Sequence, residues 1–125
     1  MFIGTDIVEV ERIERAVSVS GIAFLQRVFT EREINKIDAR EPNYERAAGF
    51  WAAKESMVKA VGLGFREGIR FHDMEVEHDI YGCPCFVLHG RLKEILTERR
   101  MTKLSLSISH CRTHAIAVVA ILTQH

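Results

Sequence analysis

The sequence predicts an α+β domain, with helices packed on one face of a small antiparallel sheet. Three observations carry this. Apolar residues recur at helical spacing mainly in the first half, around residues 10–19 and 44–61. Strict alternation falls in the second half, most clearly in KLSLSISH at 103–110. The 125 residues suffice for one domain, 1–125, and not for two of ordinary size. Helices and strands must therefore share one core.

The elements follow in order. Residues 2–8 are a short apolar run and read as a strand. From Glu9 the period changes, and Val10, Ile13 and Val17 define a helix to about Val19, broken at Ser20-Gly21. FLQRVF leads without assignment to Thr30, which with Glu33 makes a capping-box pattern and opens a helix over 31–39. Pro42-Asn43 ends that segment. A long helix then runs from Tyr44 to Val61, stopped by Gly62 and Gly64. FHDMEVEHD at 71–79 and CFVLHG at 85–90 read as strands joined by the turn YGCP. RLKEILTERR is an amphipathic helix at 91–100. Strands at 103–110 and 115–122, joined by the polar CRTH, close the domain.

Composition removes several classes of function. Apolar residues make up 47%, enough for a core, and 17 basic residues balance 17 acidic ones. A zero net charge argues against a general nucleic-acid coat, which is basic overall. No apolar run is long enough to span a bilayer, so no membrane partner is expected. MFIGTDIVEV lacks the basic and apolar blocks of a secretory signal. Three cysteines, an odd count, are expected to be reduced thiols in a cytoplasm, and the Cys83/Cys85 pair has no matching second pair to suggest a metal.

Five features hold residue types that could do chemistry. Asp6 is a carboxylate in an apolar strand, where loss of hydration calls for a partner or a cation; capping the next helix is the plainer reading. Lys54 and Glu55 are charges among Trp51, Ala53 and Val58, and Glu55 is placed four residues before Lys59, as in a helical surface ion pair. The loop GLGFREG at 62–68 offers glycines that permit close backbone approach, with Arg66 and Arg70 nearby. Ser109, His110 and His114 stand at a strand end. Arg12 and Arg15 share one face of the first helix, interleaved with Glu9, Glu11 and Glu14, and Arg27 follows; they form either a solvated charged face or a basic ridge for an acidic partner.

Taken together, GTDIVEVERIE at 4–14, RVFTEREI at 27–34, WAAKESMVKAVGLG at 51–64 and LSISHCRTHAIAVV at 106–119 resemble the holo-acyl-carrier-protein synthases, the small bacterial phosphopantetheinyl transferases. FHDMEVEHDIYGCP at 71–84 is a looser match, and the resemblance spans almost the whole chain. It implies a phosphopantetheinyl transferase-like fold. It also implies transfer of phosphopantetheine from coenzyme A to a serine of acyl carrier protein, releasing adenosine 3',5'-bisphosphate, a step in fatty acid biosynthesis. It implies magnesium held by Asp6 and Glu55, Lys59 near the pyrophosphate, and His110, Gly62 and Gly64 associated with the coenzyme A nucleotide. Glu55 is then a metal ligand and a candidate acceptor for the serine proton. Arg12, Arg15 and Arg27 resemble the docking surface for the acidic carrier, and homotrimers with active sites between subunits are implied.

Two positions depart from the family pattern. Phe50 stands where arginine is usual, and Cys83, in Gly82-Cys83-Pro84, where lysine is usual. The first removes a cation from the expected nucleotide site, with Arg46 or Arg70 as candidate replacements. It also keeps open a non-catalytic carrier-binding homologue. A magnesium enzyme acting on another nucleotide pyrophosphate is the remaining alternative.

Overall fold

The computed structural model describes residues 1–123. It contains strand β1 (Phe2–Glu9), helices α1 (Val10–Ser20), α2 (Ile22–Val28), α3 (Glu31–Ile37) and α4 (Tyr44–Val61), then strands β2 (Met74–His78) and β3 (Pro84–Leu88), helix α5 (Gly90–Glu98) and strands β4 (Met101–His110) and β5 (His114–Thr123). The fold class is α+β, as the periodicities predict. The strands, however, form two sheets rather than one. β5 is central in an antiparallel sheet of order β1-β5-β4, while β2 and β3 form a separate hairpin. α5 connects β3 of the hairpin to β4 of the larger sheet.

Several boundaries differ from the sequence reading for local reasons. FLQRV belongs to α2, which buries Phe24, Leu25 and Val28 but is too short to show a clear period, and Phe29 follows as its extended C-cap. α3 stops at Ile37 because Asp38 takes φ 73°, outside the helical region. Phe71–Asp73 is a single 3₁₀ turn rather than strand. The Asp73 carboxylate holds it by accepting from the Arg70 and Leu92 amides at 3.2 and 3.3 Å. The capping box forms as predicted: Thr30 Oγ1 accepts from the Glu33 amide, and Glu33 Oε1 from the Thr30 amide.

α4 organises the molecule. The sequence suggests an apolar stripe, but α4 is buried on nearly all sides, with Ala47, Ala48, Phe50, Ala52, Ala53, Met57, Val58 and Ala60 inside. It lies against the inner face of the three-stranded sheet, where Val8, Ala115, Ala117, Val119 and Ile121 are buried. Small residues permit this close approach. A Cβ on Gly4 would sit 1.9 Å from the Ser56 carbonyl oxygen, so β1 can lie this near α4 only with glycine there. Ser56 Oγ donates to the Ala117 carbonyl at 3.0 Å and ties α4 to β5. Gly62 ends the helix in the left-handed region, φ 87°, its amide bonded to the Val58 carbonyl.

The outer face of the same sheet is different. Ile3, Ile7, Ile116, Val118 and Leu122 are all exposed on it. Alternation along β1 and β5 places these side chains opposite the buried set.

Candidate functional site

The close contact at Gly4 positions the first group of charged residues. Asp6, two residues along β1, points to the same face as Gly4 and Val8. There it meets α4: Lys59 Nζ lies 2.9 Å from Asp6 Oδ1. Lys59 therefore pairs across to β1 and not with Glu55, as the i,i+4 spacing suggests. The Asp6 carboxylate is thus engaged by Lys59 rather than by an amide of the following helix. Glu55 completes the group. Burial raises its pKa above the ordinary carboxylate value, and the nearby Asp6 charge adds to this; Lys59 and Arg12 act in the opposite direction. Asp6, Glu55, Lys59 and Arg12 thus form one electrostatic unit at the β1–α4 junction.

Two neighbouring carboxylates, one raised in pKa, suit a hard divalent cation. Among the described residues no group of three or more His, Cys, Asp or Glu side chains converges to hold a metal. Magnesium commonly takes only one or two protein carboxylates and completes its shell with waters and substrate phosphates, so the pair fits it. Gly62 and Gly64 follow Lys59 within five residues and both have positive φ, 87° and 62°, a conformation that favours glycine.

His110 is placed elsewhere. It pairs with Ala115 at the end of β4, with β5 between it and β1. Its surroundings are a second cleft of about 210 Å³, lined by Arg46, Gly49, Phe50, His78, Gly82, Pro84, Ile108 and His110. Phe50 supplies a buried apolar floor, stacked edge-on to Phe29 and 6.1 Å from the His78 ring. Of the two candidate replacement cations, Arg46 lines this cleft and is fixed by a bond from Nη1 to the Lys36 carbonyl at 2.9 Å. Arg70 does not. It borders a third cleft of about 560 Å³ with Arg27, Gln26, Phe65, Phe71 and His72. Arg12, Arg15 and Arg27 are exposed, the first two on α1 and the third on α2.

Lys54 departs most from the sequence reading. It is wholly buried and separated in role from Glu55. Its Nζ is 2.8 Å from Glu33 Oε1, donates to the Phe71 carbonyl at 2.8 Å and lies over the Phe29 ring. Burial lowers its pKa, while the Glu33 charge and hydrogen bond work against that. Glu33, equally buried, also accepts from the Val76 amide through Oε2 at 2.7 Å. Both its oxygens are occupied, so it is a structural acid. A second buried carboxylate, Glu75, accepts from the Thr30 hydroxyl at 2.5 Å and lies 3.2 Å from His89. Burial raises its pKa, but these two partners outweigh burial and hold it low. The capping-box spacing exposes one role of Glu33 to sequence inspection; its partners on α4 and β2 are too distant in sequence to be read.

The architecture and these groups can be set beside known proteins. The 4'-phosphopantetheinyl transferase superfamily model matches residues 2–119, which fixes the class as a transferase of that superfamily. A holo-acyl-carrier-protein synthase of Verminephrobacter eiseniae is 44% identical over 121 residues, covering 97% of this chain and 92% of that one. The crystal structure of the Neisseria meningitidis synthase superposes with a TM-score of 0.89 at 34% identity, covering 97% of both chains. That of the Helicobacter pylori synthase, in complex with coenzyme A, gives 0.85 at 33% identity, covering 96% of this chain and 99% of that one. The chain belongs to the holo-acyl-carrier-protein synthase family. The resemblance in its sequence motifs and the fold agree on this.

Proposed function

We propose that this chain moves the phosphopantetheine arm of coenzyme A onto a serine of apo acyl carrier protein in a magnesium-dependent reaction, releasing adenosine 3',5'-bisphosphate. The carrying observation is the meeting of Asp6, Glu55 and Lys59 at the β1–α4 junction. Magnesium, when held by Asp6 and Glu55, supplies Lewis-acid neutralisation of phosphate charge. The serine oxygen bonds to the phosphorus that bears pantetheine. The bond from that phosphorus to the bridging oxygen breaks, and its electron pair leaves with the nucleotide phosphate. Lys59, half-exposed beside Asp6, balances charge on the departing oxygens. The serine proton passes to water or to Glu55. Assembly of the whole charged group disfavours the non-catalytic reading.

The nucleotide end of coenzyme A is assigned to the cleft around His110 and Arg46. In one chain that cleft and the Asp6 group are separated by the width of β5. This supports a homotrimer in which a neighbouring copy completes each site. The exposed apolar outer face of the sheet supplies a surface for such an assembly. Sedimentation should accordingly report three copies at micromolar concentration, and Ile7→Asp combined with Val118→Asp should release monomers. A native chain that sediments as a monomer would exclude the shared site.

Arg12, Arg15 and Arg27 are assigned to the acidic carrier, whose approach should weaken as salt screens the arginines. No helix among the described residues is long and apolar enough to cross a membrane. Three exposed cysteines without disulfides fit a reducing cytoplasm. The deciding experiment incubates purified chain, coenzyme A, magnesium and apo carrier protein. The carrier mass should increase by one phosphopantetheine group, and chelation of magnesium should stop this. An unmodified carrier under saturating conditions would refute the assignment.

A further inference from the structure

We propose that His78 is a specificity-determining residue of the His110 cleft, presenting an Nε2–H to a phosphate at the nucleotide end of the ligand, remote from the phosphates handled by Lys59. The inference rests on the coenzyme A reading above and names what discriminates within it. His78 is the last residue of β2, and it lines the cleft together with Arg46 and His110.

The tautomer of His78 follows from its neighbour. His78 Nδ1 lies 3.4 Å from Lys36 Nζ, which is itself held 3.0 Å from Glu77 Oε2. An ammonium can only donate, so Nδ1 must accept and the ring proton resides on Nε2. A second ring proton would have to be added on the side facing Lys36. Burial, then the Lys36 and Arg46 charges, push the imidazole pKa below its ordinary value, with Glu77 and Asp79 only partly opposing. His110, from β4, and Arg46, from α4, are the other titratable groups lining the cleft. The result is a fixed donor rather than a mobile cation.

The remaining lining residues narrow the class of ligand. Arg46 has further guanidinium N–H groups beyond its bond to Lys36, and among the described residues no carboxylate lines the cleft. Donors around an apolar floor of Phe50, Pro84 and Ile108 select a flat ring carrying an acceptor-rich anion. At about 210 Å³ the cleft holds one end of a dinucleotide-sized ligand rather than the whole. A ligand that serves this cleft as well as the Asp6, Glu55 and Lys59 group would carry phosphates at two places. Coenzyme A does so: a pyrophosphate on one side of the ribose and a 3'-phosphate on the other.

The test is calorimetric binding to the full-length protein, with adenosine 3',5'-bisphosphate and adenosine 5'-monophosphate as probes. The native chain should prefer the bisphosphate. His78→Ala should weaken bisphosphate binding by roughly tenfold, as loss of one hydrogen bond to a charged group would, and monophosphate binding by less than about twofold on the same reasoning. His78→Gln, which restores an N–H donor, should recover most of the discrimination. Matching thermal melts for the three proteins would separate recognition from folding. Equal weakening of both probes, no weakening of either, or a glutamine variant identical to alanine overturns the role of His78 while leaving the coenzyme A reading intact. A native chain that binds neither probe overturns that reading, and this inference with it.

Discussion

Glu55→Gln should lower phosphopantetheine transfer by about a hundredfold or more, the loss typical when a group that stabilises developing charge is removed. Asp6→Asn should do the same. Both carboxylates belong to one electrostatic unit with Lys59, so their effects should not add. The double variant should be no slower than the worse single one by more than a small factor. Magnesium titration separates this from a loss of folding: each variant should need much more metal for half-maximal rate, while its thermal melt stays close to native. The amides keep the shape of the carboxylates and remove only the charge. Rates within threefold of native at ordinary magnesium would remove both residues from the site.

The second large effect concerns stability. Lys54→Met leaves Glu33 charged, wholly buried and short of its cation. Breaking a buried pair by removing one partner costs about 3–5 kcal/mol, a large part of the stability of a domain this size. Glu33→Met should cost at least as much, because the Thr30 and Val76 amides lose their acceptor as well. The double methionine variant should recover part of the Lys54→Met loss, since no charge is then left buried and unpaired. Urea unfolding of the four proteins forms a double-mutant cycle. Coupling below about 0.5 kcal/mol would mean that the pair contributes nothing beyond its separate contacts.

These two predictions also show which parts of the molecule can be read from sequence. The Thr30–Glu33 box is legible because its partners are three residues apart. Asp6, Glu55 and Lys59 stand out because carboxylates and an amine interrupt apolar elements. Their pairing is not legible. Local spacing favours Glu55 with Lys59, whereas the folded chain brings Asp6 to Lys59 from 53 residues away. Lys54 and Glu55 look like one charged pair on a shared face, yet consecutive helical residues diverge by about 100°. Lys54 meets Glu33 of α3 in the interior, and Glu55 meets the environment of β1. The division into two sheets is hidden for a similar reason. Alternation identifies strands and says nothing of which edges pair. His78 carries no motif at all; its role arises only when α3, α4, β2 and β4 converge.

Gly4 bears on how such a centre can be altered. It has no ionisable atom and makes no bond to any ligand proposed here, yet the missing methyl sets how near the strand bearing Asp6 can lie to the helix bearing Glu55 and Lys59. The spacing of these charged groups is thus calibrated by absent bulk. A mutational survey limited to chemically reactive side chains would pass over the residue that governs their separation.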